Sequence, residues 1–152
     1  MIERFETFTV LITKISRSIR KIKTEEMAKF NLKSPHVSCL YYLFKSESLT
    51  AKELCDICQE DKAAISRSLV YLEKEGYLTC YSKTQKKYKS PIQLTDKGKE
   101  IGKEVVRKVD SFLEDAGLGL SENERNVMYQ SLCLICKNLE KMCEKYKGEE
   151  NG

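Results

Sequence analysis

Residues 49–95 decide the fold of this chain, and their sequence is LTAKELCDICQEDKAAISRSLVYLEKEGYLTCYSKTQKKYKSPIQLT. Thr50 followed by Glu53 is typical of a capping box, in which each side chain satisfies a backbone N–H group at the start of a helix. This pair predicts that a helix begins at Thr50. The polar run that follows Cys58 predicts that the same helix ends there.

A second helix is predicted to begin directly after Asp61, which has the position of an N-cap. Its apolar residues Ile65, Leu69 and Leu72 recur at helical spacing, so we expect this face to pack against a core. The opposite face carries a cation, hydroxyls and small side chains, which a helix needs to approach phosphates and base edges in a major groove. The candidate contact residues of these two helices are Thr50, Asp61, Lys62, Ala63, Ala64, Ser66 and Arg67.

A basic hairpin is predicted after the second helix. Gly76 stands where a left-handed C-cap belongs, and residues 77–81 and 91–94 have the composition of strands. The loop between them has no acidic residue and carries Lys83, Lys86, Lys87 and Lys89. A solvated charged loop is one interpretation of such a run. Directly after a helix of this kind, the lysines are instead expected to contact the DNA backbone or the minor groove. The order of elements predicts a winged helix-turn-helix that binds double-stranded DNA.

The flanks of this unit are predicted to be helical. An apolar stripe at steps of three and four residues near the N-terminus consists of Ile2, Phe5, Phe8, Ile12, Ile15, Ile19 and Ile22. Ser34 is expected to cap a short helix with Pro35 at its first position. Thr95 is expected to start a helix that ends near Gly117. Ser121 and Glu124 form a second capping box, which opens a last helix with apolar residues at heptad-like spacing.

The first and last helices are both too apolar to face water, which predicts that they pack together and against a second copy in a homodimer. A helical bundle within a monomer is the alternative. The predicted organisation is an N-terminal dimerisation helix at 1–33, a winged helix-turn-helix at 34–98, C-terminal dimerisation helices at 99–147 and a disordered tail at 148–152. The fold class is mainly α with a small β-hairpin wing.

The central motifs resemble those of the MarR family of bacterial transcription regulators. They are LTAKEL at 49–54, DK at 61–62, SR at 66–67, LEKEGYL at 72–78 and LTDKGK at 94–99. The spacing from Gly76 to Leu94 matches the wing of that family. The Asp-Arg-Arg run that the family carries at the wing tip falls on residues 86–88, where Lys87 keeps a charge and the Asp is absent. Because lysine is a flexible point charge, we expect this wing to add affinity more than sequence reading.

The resemblance implies a ligand-responsive repressor that binds a pseudo-palindromic operator as a homodimer, with the first helix and the last two helices at the interface. It also implies a small aromatic or anionic effector in a cleft. In this chain the cleft would be lined by Ile15, Ile19, Val37, Tyr41 and Ile101, which are equally good core residues.

The seven cysteines of the chain allow a further interpretation. Two CxxC pairs, at 55–58 and 133–136, fall on predicted helices, where thiols buried in a reducing cytoplasm are expected and a zinc site is not. A thiol-based redox sensor of the same fold is an alternative, and its candidate residues are Cys80, Cys133, Cys136 and Cys143. A module that binds protein through the winged helix is another.

Composition excludes other classes of function. A single histidine among 152 residues excludes a metal site built from several histidines, and the chain has no Gly-rich phosphate loop, HExxH or GxSxG motif. We therefore expect no catalytic residues, no cofactor and no metal. No apolar run approaches the roughly 20 residues of a membrane span, so a cytoplasmic location without a membrane partner is expected. The net charge of +4 fits a nucleic-acid partner.

Overall fold

The computed structural model describes residues 3–79 and 89–149 of the chain. The chain forms two compact units, and the boundary between them lies after Phe112. The helices are α1 (Ile12–Glu26), α2 (Ser34–Lys45), α3 (Ala51–Cys58), α4 (Lys62–Lys74), α5 (Asp96–Ala116) and α6 (Glu122–Glu149). The last turn of α5 and the whole of α6 belong to the second unit.

The predicted N-terminal helix is present, but its first part is not a regular α-helix. The stretch Glu6–Leu11 is π-helical and passes directly into α1. The hydroxyls of Thr7, Thr9 and Thr13 each donate a hydrogen bond to the carbonyl oxygen four residues earlier. Hydroxyls bonded in this way compete with the helical backbone bonds and bend helices. The spacing of three and four residues therefore does not continue unchanged through this part of the stripe.

Both helix starts of the central segment are confirmed. The Thr50 N–H donates to Glu53 Oε2 at 2.7 Å, and the Glu53 N–H donates to Thr50 Oγ1 at 3.1 Å, which completes the capping box of α3. At the next helix, Asp61 Oδ1 accepts a hydrogen bond from the Ala64 N–H at 2.6 Å. The turn from α3 to α4 is thus short, and each of the two helices begins with its own N-cap.

The predicted cap of α2 is wrong by one residue. Ser34 is already helical, and the extended residue before the helix is Lys33. The Lys33 N–H donates to Nδ1 of His36 at 3.0 Å, while the Ser34 N–H donates to Oγ1 of Thr24 at 3.0 Å. The side chains of His36 and Thr24 therefore accept from the backbone N–H groups at the start of α2, and Ser34 itself is buried.

The core of the first unit lies among α2, α3, α4 and the start of α5. Its buried apolar residues are Met27, Leu32, Val37, Cys39, Leu40, Leu43, Ala51, Leu54, Ile65, Leu69, Leu72, Tyr77, Leu78, Ile92, Leu94, Ile101 and Val105. The α4 residues in this set are those for which the sequence predicted a packing face. One side of α4 is therefore fixed to the body of the unit.

The base of the predicted wing is antiparallel. Leu78 pairs with Leu94 and Leu49 pairs with Ile92, both as isolated bridges. On one side the Thr79 N–H donates to the Gln93 carbonyl at 3.0 Å. The two predicted strands therefore meet at their described ends, whereas residues 80–88, which include most of the predicted hairpin, lie outside the described residues. The hairpin itself stays a prediction.

Gly98, in the first turn of α5, lies directly against the wing base. A Cβ atom at this position would overlap the carbonyl oxygen of Tyr77 and lie 3.2 Å from Cβ of Leu94. Glycine permits such a close approach because it has no side chain. The start of α5 is in turn capped by Thr95, whose Oγ1 accepts from the Gly98 N–H at 3.0 Å.

The second unit contains the predicted capping box of α6. The Ser121 N–H donates to Glu124 Oε2 at 2.7 Å, and the Glu124 N–H donates to Ser121 Oγ at 3.2 Å. An ion pair of 2.8 Å between Arg125 and Glu114 links α6 to the last turn of α5. These contacts stabilise the connection between the end of α5 and the start of α6.

Candidate nucleic-acid interface

The outer face of α4 is the candidate recognition surface. Lys62, Ala63 and Arg67 are exposed, whereas Ala64 and Ser66 are half-buried. Small side chains flank the one arginine, so the helix backbone can come close to another molecule while the guanidinium reaches further. Arginine makes bidentate hydrogen bonds to guanine O6 and N7, which is a common specific contact in the major groove.

Val70 extends this face in a way that the sequence reasoning missed. Its side chain is 49% exposed, although it is apolar and lies on a helix whose other branched residues are buried. It comes one turn after Arg67 on the same side of α4, at the spacing that places two residues on one face. An apolar group at such a position can contact the methyl group of thymine. Ala63, Arg67 and Val70 follow one another at steps of four and three residues, and this spacing could have predicted that Val70 lies on the exposed face.

Two predicted contact residues have a structural role as well. Thr50 and Asp61 cap α3 and α4, and the capping oxygen of each is bound to a backbone N–H group. A cap places both side chains at the N-terminal ends of their helices. Their contact with DNA stays a prediction.

Of the wing lysines, Lys89 is described and is exposed. Lys83, Lys86 and Lys87 lie outside the described residues. Lys97, which follows the wing, is engaged within the protein: its Nζ donates to the Glu75 carbonyl at 2.7 Å. This cation therefore satisfies a carbonyl at the C-terminal end of α4.

The back of α4 is fixed by an aromatic pair that the sequence did not indicate. The ring of Tyr71 stacks on the ring of His36, with centroids 4.4 Å apart, and its hydroxyl donates to the Asn31 carbonyl at 2.7 Å. Burial lowers the pKa of His36, and the nearby Lys33 ammonium lowers it further. The neutral ring is therefore favoured, and its Nδ1 accepts the bond from the Lys33 backbone. This pair joins α4 to the start of α2.

The C-terminal end of α4 is fixed separately. Gly76 has the left-handed φ of +80° that was predicted for a helix C-cap. Its carbonyl accepts a hydrogen bond from Thr95 Oγ1 at 2.6 Å. The C-terminal part of the candidate recognition helix is thus bound to neighbouring elements of the first unit, and its N-terminal end is capped by Asp61.

The predicted cleft residues divide between core and surface. Val37 and Ile101 are buried in the core, as the alternative interpretation expected, whereas Ile15 is exposed and Ile19 and Tyr41 are half-buried. Ile101 lines a cavity of about 280 Å³. Another cavity, of about 550 Å³, lies beside the His36–Tyr71 pair.

Apolar surface is left uncovered in each unit. The exposed residues of the N-terminal segment include Phe5, Phe8, Val10, Leu11, Ile12 and Ile15. Those of α6 include Val127, Met128, Tyr129, Leu132, Leu134, Leu139, Met142 and Tyr146. Where exposed apolar residues form a contiguous patch, they mark sites of interaction between proteins.

The expectation of buried cysteines is wrong for α6, where Cys133, Cys136 and Cys143 are exposed. The prediction relied on the general tendency of cysteine to be buried, but α6 carries its apolar residues on an uncovered surface. Cys39 is buried, and Cys55 and Cys58 are half-buried. Cys80 lies outside the described residues. Within the described ranges, no group of three or more His, Cys, Asp or Glu side chains is arranged to hold a metal ion, and no helix has the length and apolar character of a membrane span.

Comparison with known proteins identifies the family. The chain belongs to the winged helix DNA-binding domain family, whose model matches residues 36–113. The fold agrees with the predicted resemblance, because it is similar to that of solved MarR regulators. A MarR transcriptional regulator from Methanosarcina mazei has a TM-score of 0.78 at 18% identity and covers 93% of this chain and 94% of its own. A MarR family regulator from Listeria monocytogenes, solved in complex with a 26mer DNA, has a TM-score of 0.74 at 24% identity. It covers 91% of this chain and 90% of its own.

A sequence relative agrees with this assignment. An HTH-type transcriptional regulator from Bacillus cereus is 26% identical over 134 residues, which are 86% of this chain and 87% of the relative. That relative is described as a transcription regulator, and solved transcription regulators share the fold.

Proposed function

We propose that this protein is a ligand-responsive transcriptional repressor that binds a pseudo-palindromic DNA operator as a homodimer. The observation that carries the proposal is the presentation of α4: one face is buried in the core, the C-terminal part is bound to neighbouring elements, and the exposed face carries Ala63, Arg67 and Val70. The DNA complex of the Listeria relative supports the same use of this fold.

Arg67 is the proposed base-reading residue. It is exposed in the middle of the outer face, where small neighbours let the helix enter the groove. The predicted contact lysines, of which Lys62 and Lys89 are described and exposed, are proposed to contact phosphates. Phosphate contacts give affinity and register, whereas base contacts give sequence preference. The two kinds of residue should therefore differ in how their loss affects binding.

The homodimer is proposed from the uncovered apolar surfaces. A lone helix-turn-helix covers a single half-site, whereas a twofold dimer presents two recognition helices about 34 Å apart, one turn of DNA. The exposed apolar residues of the N-terminal segment and of α6 are the surfaces that a second copy would cover. Any event that changes the separation of the two α4 helices would then weaken DNA binding.

The effector is proposed to be a small aromatic or anionic molecule. The proposed pocket residues are those predicted from the sequence, of which Ile15, Ile19 and Tyr41 are accessible in the structure. Such a ligand would bind more tightly to a dimer form in which the two α4 helices are not one turn of DNA apart. It would thereby favour that form, since a ligand can shift an equilibrium only by its difference in affinity for the two states.

Selection of bound sequences from random duplexes tests the proposal. A repressor of this kind should enrich a pseudo-palindrome, and its affinity should fall steeply as salt rises. A screen of small aromatic acids for release from that duplex then tests the effector. Enrichment of no sequence, together with no binding to any duplex at low salt, would contradict the DNA-binding function and leave a protein-binding module as the better account.

Arg67→Ala tests the proposed reading residue. We expect a loss of about 1–3 kcal/mol in binding to the selected sequence, the usual value of a bidentate base contact, and little change on random duplexes. Arg17→Ala is the matched control, because it removes the same charge from an exposed position on α1. Equal losses on selected and random DNA would show that Arg67 contacts only phosphate.

A further inference from the structure

A cavity of about 380 Å³ lies where the end of α2, the base of the predicted wing and the first turn of α5 come together. This volume is near the lower end of the roughly 300–1,000 Å³ of sites that bind small molecules. Its lining combines three apolar side chains, one amide and two opposite charges. The lining residues are Leu43, Phe44, Leu94, Gln93, Glu47 and Lys99.

Glu47 follows the C-cap of α2 in a conformation that is unusual for a glutamate. Its φ of +58° is left-handed, and glycine is the preferred residue in this conformation after a helix. A carboxylate is also unfavourable here, because the C-terminal end of a helix carries partial negative charge. Local structure thus disfavours a glutamate at position 47 on two grounds, which indicates that the side chain has a use beyond the fold.

The two charged side chains of the cavity are not paired within residues 3–79 and 89–149. Glu47 and Lys99 form no ion pair with each other, and neither side chain has a hydrogen bond or ion pair to another residue of those ranges. Lys97 is different, since its ammonium donates to the Glu75 carbonyl. A small cation in the cavity would be repelled by Lys99, and a small anion would be repelled by Glu47. A molecule that carries both charges satisfies both side chains.

The remaining wall of the cavity is apolar and is held in place by the core. Leu43 and Leu94 are buried core residues. The ring of Phe44 lies against α5 at Gly102, where a Cβ atom would be 3.0 Å from Cδ2 of the ring. Glycine permits this close approach because it has no side chain. An apolar group of a ligand would be removed from water against this wall.

We propose that this cavity binds a free α-amino acid with an apolar side chain. The ammonium group of the ligand donates to the Glu47 carboxylate, and its carboxylate accepts from the Lys99 ammonium, so both contacts are charge-assisted. The side chain of the ligand lies against the apolar wall. None of the residues predicted for the effector cleft lines this cavity. The site therefore goes beyond the proposed function, and its test needs no DNA.

Isothermal titration calorimetry of the full-length protein with L-leucine, L-methionine and L-phenylalanine tests the class of ligand. We expect saturable binding of at least one of them, with one site per protomer. Each amino acid is compared with the amine that lacks its carboxylate and the acid that lacks its amine. For L-leucine these are 3-methylbutylamine and 4-methylpentanoate. Each analogue should bind about 5- to 10-fold more weakly, because a charge-assisted contact in a partly open site contributes more than an exposed ion pair and less than a buried one.

Single substitutions test the two charged residues. Glu47→Gln and Lys99→Gln should each weaken binding of the amino acid by about 5- to 10-fold, for the same reason. Glu25→Gln and Lys103→Gln are the matched controls, because they remove the same charges from exposed positions outside the cavity. Both controls should bind as the wild type does.

Glu47→Gly separates a binding residue from a structural one. Glycine is favourable at a φ of +58°, and its introduction removes a negative charge from the end of a helix. The melting temperature of this variant should therefore rise, while its affinity for the amino acid falls as in Glu47→Gln. A lower melting temperature would show that the fold itself requires Glu47.

Three other results would overturn the inference. The first is no binding of any of the three amino acids. The second is binding of an amine or an acid analogue as tight as that of its amino acid, since the site would then recognise one charge only. The third is unchanged affinity in both Glu47→Gln and Lys99→Gln, which would place the bound amino acid elsewhere.

Discussion

Removal of the Asp61 cap should destabilise the protein in a way that separates hydrogen bonding from charge. Asp61 Oδ1 accepts the Ala64 N–H at 2.6 Å, and loss of such an N-cap costs about 0.5–2 kcal/mol. The carboxylate also interacts with the positive end of the helix dipole, which contributes about 0.3–1 kcal/mol at an exposed site. Asp61→Ala loses both effects, so we expect a loss of about 1–2 kcal/mol in the free energy of unfolding.

Asp61→Asn is the informative control, because asparagine keeps the acceptor oxygen and loses only the charge. We expect it to cost about 0.3–1 kcal/mol, clearly less than Asp61→Ala. Urea unfolding at one fixed protein concentration gives both values, and an unchanged slope shows that the unfolded state is the same. If the two variants lose equal stability, the cap hydrogen bond contributes nothing and the reasoning is refuted.

Two further predictions concern the fixed surroundings of α4. Gly98→Ala should lower the free energy of unfolding by about 1–3 kcal/mol, as other overpacking does, because a Cβ would overlap the Tyr77 carbonyl. Gly148→Ala is the control, since a Cβ there meets no atom within 4 Å. Equal melting temperatures of the two variants would contradict this prediction. His36→Phe keeps an aromatic ring against α4 and removes the titration. Because burial and Lys33 lower the pKa of His36 in the folded chain, its contribution is fully present above the ordinary value of about 6.5 and is lost as the pH falls below it. Wild type should therefore lose more stability than His36→Phe between pH 7.5 and 5.5, and parallel curves from chemical denaturation would be the contrary result.

The parts of the fold that the sequence predicted well are local. The capping box of Thr50 and Glu53, the N-cap at Asp61 and the left-handed Gly76 each depend on residues within a few positions of one another. Such interactions form with little regard to the rest of the chain. The start of α2 shows the limit of this reasoning, since Ser34 had the right residue type but the N–H donors are satisfied by His36 and Thr24.

The features that the sequence could not show join residues distant along the chain. Tyr71 donates to the Asn31 carbonyl across 40 residues, and Gly98 is required because Tyr77 folds back against it. Neither contact can be recognised from the sequence of one of its two segments alone.

For the candidate interface, the sequence identified the helix and the structure identified its outer face. Helical periodicity gave Ile65, Leu69 and Leu72 as the packing side, and all three are buried. It did not separate exposed Arg67 from half-buried Ser66. The depth to which neighbouring helices cover the edges of a face depends on tertiary packing, which periodicity does not contain.

The most direct test of the account is the stoichiometry of the complex with the selected duplex. Sedimentation equilibrium of the protein alone and with the duplex at low salt measures both states under one set of conditions. The account predicts a dimer in solution and two protomers on one pseudo-palindromic duplex, with binding weakened by Arg67→Ala. A single protomer in solution and on DNA, with affinity independent of sequence, would contradict it.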